Sequence, residues 1–231
     1  EEQYERVVKL LTNTIEDKIL PPLNKLCIVQ GVATVLPDEV LIYGSPTSLL
    51  EKPVSSYLLQ ECNHATEGTT RLFALRSLQT LLNRCSSIVE HCDSSSACYA
   101  YIDKLSKESL HVTMSTWENP PGRQVASAIP GLFSSLVALI ETVYPGDNKA
   151  APGIQKMVGR VLEQPANRKG RYIALETLLP IVGAKTLLES NGDCLIKSLV
   201  NGVGDRAHTA GNIATLLGKI LAKRKEEMYD E

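Results

Sequence analysis

The sequence predicts an all-α fold, a HEAT- or armadillo-like α-solenoid of antiparallel helix pairs. Through residues 170–180, apolar residues recur at helical spacing, at Tyr172, Leu175, Leu178 and Leu179. Two further apolar helical patterns follow after short breaks, through residues 187–200 and 206–221. Consecutive amphipathic helices with short breaks and no strand pattern are typical of helical-repeat arrays.

The composition is suited to such an array. The chain has 231 residues, of which 43% are hydrophobic and only 5% aromatic. A core must therefore be built from Leu, Val, Ile and Ala, and these are numerous enough to bury a continuous one.

The remaining elements follow from apolar spacing and from proline and glycine. A first helix is expected near residues 2–20, stopped by Pro21 and Pro22. Residues 37–53 form a connection, in which 40–43 are interpreted as a packed loop, with a short strand as the alternative. Pro130 is expected to kink or split a helix that follows 119–122. Further helices are expected near residues 22–36, 54–63, 66–91, 96–107, 108–116 and 151–164.

Charge is distributed unevenly along the chain, although the formal net charge is only −2. Residues 1–148 hold 11 Lys and Arg against 17 Asp and Glu, which leaves −6. Residues 149–225 hold 13 against 5, which leaves +8. The change of sign coincides with a turn at 144–148. We therefore predict acidic repeats over 1–145 and basic repeats over 149–231, within one continuous solenoid piece whose last residues, 223–231, fray.

The basic part is suited to an anionic partner such as RNA, whereas the alternative is a solvated face. Four cations surround the predicted inter-helix loop at 164–167: Arg160, Arg168, Lys169 and Arg171. A solenoid exposes such loops along one edge, so these side chains are candidate contacts to RNA phosphates. Alternatively, Arg171 packs its stem on the next repeat and the others are solvated. A second basic group, at 219 and 223–225, lies in the last helix, where it would complement the helix dipole.

No catalytic or metal-binding constellation emerges from the sequence. The only Cys/His cluster is Cys85, His91, Cys92 and Cys98, and it lacks the tight ligand pair that zinc sites usually contain. Small residues packed in helix interfaces are the favoured interpretation. Residues 202–204 are expected to end one helix, and Asp205 to cap the next. We expect no catalytic residue, no metal, no cofactor and no small-molecule substrate.

The sequence also predicts where in the cell the protein is located. No signal peptide is recognised, and no apolar run reaches the roughly 20 residues of a membrane span. Cysteines without paired spacing fit a reducing compartment. The sequence therefore predicts a cytoplasmic protein without a membrane span.

Several segments occur in the same order as in one protein family: KLCIVQGV at 25–32, TRLFALR at 70–76, WENP at 117–120 with RQV at 123–125, and RYIAL at 171–175 followed by Pro180 and 183–184. Over roughly residues 20–220 the chain resembles the thyroid adenoma-associated (THADA) family of large HEAT/armadillo-like proteins. That family includes the fungal auxiliary subunit of a tRNA 2′-O-ribose methyltransferase. The present chain departs from the family pattern in a shortened loop after Trp117 and in Gln30, where a basic residue is usual. Since family members are far longer, the resemblance implies an internal fragment.

The resemblance implies a non-catalytic scaffold that binds a methyltransferase catalytic subunit, tRNA or both, and directs methylation of the anticodon loop. The methyl donor, S-adenosylmethionine (SAM), would belong to the partner enzyme. The loop at 160–171 would be the tRNA contact, and Trp117 with Arg123 a structural corner or a partner contact. The alternative is a helical-repeat adaptor that binds only protein, in trafficking or membrane-pump regulation. A continuous concave stripe of cations would favour RNA, and cations paired with acids would favour a protein partner.

Overall fold

All regular secondary structure in the described residues is helical. The computed structural model describes residues 2–35, 37–38, 56–91, 96–143, 152–204 and 207–230. Helices in these ranges are α1 Glu2–Glu16, α2 Pro22–Val35, α3 Tyr57–His64, α4 Gly68–Val89, α5 Ala97–Glu118, α6 Arg123–Val143, α7 Pro152–Glu163, α8 Lys169–Val182, α9 Ala184–Gly204 and α10 Ala207–Asp230. The all-α prediction is confirmed.

The chain divides into two compact units, unit 1 over Glu1–Val143 and unit 2 over Tyr144–Glu231. The division falls beside residues 144–148, where the sequence predicts a turn and where the charge changes sign. The conformation of that turn lies outside the described residues, as do the alternative strand at 40–43 and the predicted cap Asp205.

Unit 1 is organised around α4. This helix packs most extensively on α6, and it also contacts α2, α3 and α5. Its Leu75, Leu78 and Leu82 are fully buried, as is Phe133 of α6. Helices that are two apart in the chain therefore pack together, in addition to consecutive helices. Both α2 and α6 contact α4, and α3 contacts α5.

Unit 2 is organised around α8 and α10. The two helices pack on each other, α9 packs on both, and α7 packs on α8. Tyr172 and Leu175 of α8 and Ile213 and Leu216 of α10 are fully buried. These four residues belong to the apolar helical patterns that predicted the fold and form the core as expected. Val200 and Leu221 of the same patterns do not, since they are 65% and 70% exposed.

The first helix ends one turn earlier than predicted. Its last residue is Glu16, and the Oδ1 atom of Asp17 then accepts a hydrogen bond from the backbone N–H of Ile19 at 2.7 Å. An Asp side chain that accepts a hydrogen bond from the backbone two residues later offers the chain an alternative to the helical hydrogen bond. As a result, Ile19 lies outside the helix and is 92% exposed.

Two short helices expected over 96–116 form one helix, α5. Its N-cap is Ser96, whose Oγ accepts a hydrogen bond from the backbone N–H of Tyr99 at 3.1 Å. The expected break at 107–108 carries neither Gly nor Pro, and Lys107 pairs with Asp103 one turn earlier at 2.5 Å. The helix therefore continues to Glu118.

Internal prolines do not end the helices that contain them. Pro130 lies inside α6 and Pro180 inside α8, and both helices continue beyond these residues. The end of α8 is set by Gly183, which has a φ of 79° and donates its N–H to the carbonyl of Leu179 at 2.9 Å. A left-handed backbone conformation at a helix end is one that glycine adopts without steric cost.

The charged C-terminal segment does not fray as predicted. Helix α10 continues to Asp230, and the carboxylate of Glu227 accepts hydrogen bonds from the backbone N–H groups of Ala184 (2.7 Å) and Lys185 (2.8 Å). These N–H groups open α9 and have no acceptor within their own helix. Glu227 therefore caps α9 from a distant part of the sequence.

Helix α6 is long and apolar enough to cross a membrane by length and composition alone. It has 21 residues, and it is the one helix of the described residues that meets this test. Inside unit 1 its Ile129, Phe133 and Leu136 are buried. The expectation of no membrane span stays a prediction.

Candidate nucleic-acid interface

Three of the four predicted RNA-contacting cations lie at one end of the α7–α8 helix pair. Arg160 is in the last turn of α7, Arg168 precedes α8, and Lys169 is the first residue of α8. Arg160 and Arg168 are half-buried and Lys169 is exposed. We call residues 160–172 the α7–α8 corner. Its loop of five residues, 164–168, keeps these cations at the same end of two helices that pack on each other.

Arg171 occupies a different environment from the other three cations. It is only 5% exposed, and its Nη1 donates a hydrogen bond to the backbone carbonyl of Gln164 at 2.7 Å. Its guanidinium is thus directed into the protein, so Arg171 is not one of the surface cations that could contact RNA. The alternative that the sequence left open is that Arg171 packs its stem on the next repeat. The side chain is indeed buried, but it bonds the loop that precedes it in the chain.

Tyr172 supports the same loop. Its hydroxyl donates a hydrogen bond to the carbonyl of Ala166 at 2.6 Å. Burial raises the pKa of Tyr172, an effect that the charge of Arg171 opposes, so the hydroxyl stays protonated and remains a donor at neutral pH. A backbone hydrogen bond from the N–H of Arg168 to the carbonyl of Pro165, at 3.0 Å, closes a turn in the loop. The loop that displays the cations is therefore fixed from the interior.

The corner cations differ from the second basic group in their ion pairs. Within the part of the chain that the structure describes, no carboxylate lies within 4.0 Å of the charged nitrogens of Arg160, Arg168 or Lys169. On α10, in contrast, three cations have acidic neighbours: Lys219 pairs with Glu176 at 2.8 Å, Lys223 with Glu226 at 3.1 Å and Arg224 with Glu227 at 3.8 Å. Positive potential in unit 2 is therefore less compensated at the α7–α8 corner than along α10.

The second predicted site, Trp117 with Arg123, lies on either side of the α5–α6 turn. Trp117 is 9% exposed, and its ring packs against Phe133 with centroids 5.1 Å apart and planes at 67°. This edge-to-face geometry is favourable for aromatic pairs. Arg123 opens α6 and is exposed. Trp117 thus serves as a packing residue beside the α5–α6 turn, while Arg123 faces solvent.

The Cys/His cluster does not converge in the described residues. Cys85 is buried, Cys98 is half-buried and His91 is exposed, while Cys92 lies outside the described residues. Over those residues, no three His, Cys, Asp or Glu side chains are placed to hold a metal ion.

No family model, curated protein or solved structure matches this chain. The resemblance to the thyroid adenoma-associated family therefore rests on the sequence segments alone, and it stays a prediction.

Proposed function

We propose that this chain is a non-catalytic helical-repeat scaffold of the cytoplasm that contacts RNA through the α7–α8 corner. In the form that the family resemblance suggests, it binds a tRNA 2′-O-ribose methyltransferase, tRNA or both, and directs the enzyme to the anticodon loop. SAM would be bound by that enzyme and not by this chain.

The packing of alternate helices supports the solenoid part of the proposal. In a stack of helix pairs, each helix contacts its own partner and the equivalent helix of the next pair. The contacts of α4 with α2 and α6, of α3 with α5, and of α8 with α10 follow this scheme inside each unit.

The observation that carries the RNA part is the group of three cations at the α7–α8 corner, which have no carboxylate within 4.0 Å among the described residues. Phosphate groups bind Lys and Arg side chains through electrostatic attraction and the release of counterions. A rigid loop limits the conformational entropy lost when its side chains bind, and the bonds of Arg171 and Tyr172 fix this one.

The test is a mobility-shift titration of the whole chain with total tRNA at several salt concentrations. The double variant R168E/K169E should bind less tightly, and the slope of log K against log salt should become shallower by about 2, since two phosphate contacts are lost. The control K197E/K225E changes the net charge equally at two exposed lysines of unit 2. It should leave the slope within about 0.5 of the unaltered chain. Equal losses of tRNA affinity in the two variants would show that the net charge of the chain alone attracts tRNA.

A protein-only adaptor is the second candidate, and the ion pairs of α10 favour it. Lys219, Lys223 and Arg224 are each close to a carboxylate, and are therefore less available to phosphates. If the unaltered chain does not bind tRNA even at low salt, a purely protein-binding role is supported. The next measurement would then be affinity capture with R168E/K169E alongside the unaltered chain.

A further inference from the structure

A cavity of about 220 Å³ lies in unit 1 where α3 ends and α4 begins, beside the first residue of α2. Its described lining combines two carboxylates, an imidazole, hydroxyl groups and short apolar side chains. The residues that matter here are Glu61, Glu67, His64, Thr70, Pro22 and Ala65. It is a polar cavity, open to solvent, in the unit that does not contain the α7–α8 corner.

Both carboxylates are held by buried hydroxyl groups. Tyr57, which is 7% exposed, lies one turn before Glu61 on α3, and the two side chains are hydrogen-bonded. Thr70, which is 4% exposed, donates its hydroxyl to the Oε2 atom of Glu67 at 3.2 Å. Each hydroxyl uses one of several acceptor positions on its carboxylate, so both carboxylates can accept more hydrogen bonds. Their orientation is set before any ligand binds.

The Tyr57 donor persists at every physiological pH. Burial, together with the charge of Glu61 and the hydrogen bond to it, raises the pKa of Tyr57 to about 12.

The negative charge of this cavity is not compensated by its own lining. None of the lining residues that the structure describes is Lys or Arg. Lys25, on the first turn of α2, donates its Nζ to the carbonyl of Ile15 at 2.6 Å. Arg71, on α4, is not part of the described lining, and its charge and that of Glu61 both act on the buried thiol of Cys62. A cationic ligand would therefore find two oriented carboxylates and no competing cation in the described wall.

The lining of this cavity suits an organic cation. Glu61, His64 and Glu67 line it, yet no three His, Cys, Asp or Glu side chains among the described residues are placed to hold a metal ion. A guanidinium group is planar and has five N–H donors, so it can bond carboxylates on different sides. Pro22 and Ala65 offer apolar surface to the methylene stem of an arginine side chain.

We propose that this cavity binds the guanidinium group of an arginine side chain carried by a partner protein. Glu61 and Glu67 would accept its N–H groups, with Tyr57 and Thr70 acting as positioning residues behind them. The site would make unit 1 a docking module for a partner with an exposed arginine. The proposal is independent of the RNA contact in unit 2, so one can fail while the other stands.

The experiment is a titration of the ¹⁵N-labelled whole chain with the blocked tripeptide acetyl-Gly-Arg-Gly-amide, followed by amide chemical shifts. Saturable shifts at residues 61–70 are expected, with a Kd on the order of 1 mM for so small a ligand. The same tripeptide with citrulline in place of arginine is nearly isosteric and uncharged. It should bind at least about tenfold more weakly, because it leaves a carboxylate without its charged partner.

The matched variants are E61Q/E67Q, which should weaken arginine binding at least about tenfold, and E90Q/E108Q, which removes two exposed carboxylates of unit 1 and should not. If E61Q/E67Q loses its helical circular dichroism, the arginine–citrulline comparison on the unaltered chain decides alone. Equal shifts with both tripeptides, or no saturation, would overturn the proposal. Tighter binding of free arginine than of the blocked tripeptide would overturn its assignment to a partner protein.

Discussion

At the α7–α8 corner, Arg171 and Tyr172 are adjacent in sequence, and both donate to backbone carbonyls of the preceding loop. A short loop cannot satisfy all its carbonyls by itself, and a carbonyl left without a donor in a buried place costs free energy. Side chains from the first turn of α8 supply the missing donors here. An arginine that sequence reasoning places among the RNA contacts thus has a structural role.

This role predicts a loss of stability for Arg171→Ala. The variant should lower the free energy of unfolding by about 2 kcal/mol, since it removes a charged donor from the buried Gln164 carbonyl together with a packed aliphatic stem. Urea denaturation followed by circular dichroism measures the change. As the control, Arg168→Ala alters a half-buried neighbour and should change stability by under about 0.5 kcal/mol. Similar small effects from the two substitutions would contradict the interior role of Arg171.

The raised pKa of Tyr57 predicts a pH dependence of stability. Because the pKa rises from the ordinary 10.0 to about 12 in the folded chain, the neutral hydroxyl is favoured by folding. This contribution is complete below pH 10 and is lost as the pH rises from 10 to 12, when the unfolded chain releases the proton more readily. The expected loss is about 1 to 2 kcal/mol.

Comparison with Tyr57→Phe isolates this effect from other groups that titrate at high pH. The variant should be less stable than the unaltered chain at pH 8, by about 1 kcal/mol, because a hydrogen bond to Glu61 is absent. The difference should shrink between pH 10 and pH 12 in urea denaturation curves. Parallel curves over that range would show that Tyr57 has the same pKa in the folded and unfolded chain.

At the scale of elements, the cap of α9 is the clearest long-range contact of unit 2. Gly183 ends α8 and has no side chain to accept the first N–H groups of α9. The carboxylate of Glu227 accepts two of them and places negative charge at the positive end of the helix dipole. Since α10 supplies the cap, its C-terminal turns hold α9 and α10 together.

Glu227→Ala should therefore lower the free energy of unfolding by about 1 to 2 kcal/mol, as is usual for the loss of an N-cap. Glu226→Ala is the matched control, because Glu226 lies on the same helix and makes an exposed pair with Lys223 at 3.1 Å. That pair should contribute under about 0.5 kcal/mol. Thermal and urea denaturation of both variants distinguish the two residues. A loss no larger for E227A than for E226A would mean that the C-terminal turns are not needed for stability.

Helices could be predicted from the sequence where burial follows helical spacing, as for Leu75, Leu78 and Leu82 of α4. Helix ends were less predictable, because the Asp17 carboxylate accepts a backbone hydrogen bond from Ile19 and so ends α1 before the prolines do. The extent of α10 could not be predicted, since Glu227 is fixed by N–H groups 43 residues earlier in the chain.

The candidate RNA contact could also be predicted only in part. The clustering of Arg160, Arg168 and Lys169 around one loop can be read from the sequence. The burial of Arg171 could not, since it depends on where the Gln164 carbonyl lies. Nor could the cavity of unit 1 be predicted, because α2, α3 and α4 must meet before Glu61 and Glu67 share one space.

At the scale of the whole molecule, the division into units coincides with a division of charge. Residues 1–143 hold 11 Lys and Arg against 16 Asp and Glu, a formal charge of −5, whereas residues 144–231 hold 13 against 10, a charge of +3. Each unit also has buried residues of its own, such as Leu78 in unit 1 and Leu175 in unit 2. The proposed RNA contact and the proposed arginine site therefore fall in units of opposite charge, each with the sign its ligand requires.

This separation predicts that the two functions can be divided between fragments. Residues 144–231 expressed alone should keep their helical circular dichroism, because the α8–α10 core lies inside that unit, and should bind tRNA with an affinity that falls as salt rises. Residues 1–143 should not bind tRNA at physiological salt, since their net negative charge repels phosphate. Mobility shifts of both fragments measure this directly. Binding by residues 1–143 alone would move the RNA contact away from the α7–α8 corner, whereas a folded 144–231 fragment without affinity would leave the adaptor role as the better explanation of this chain.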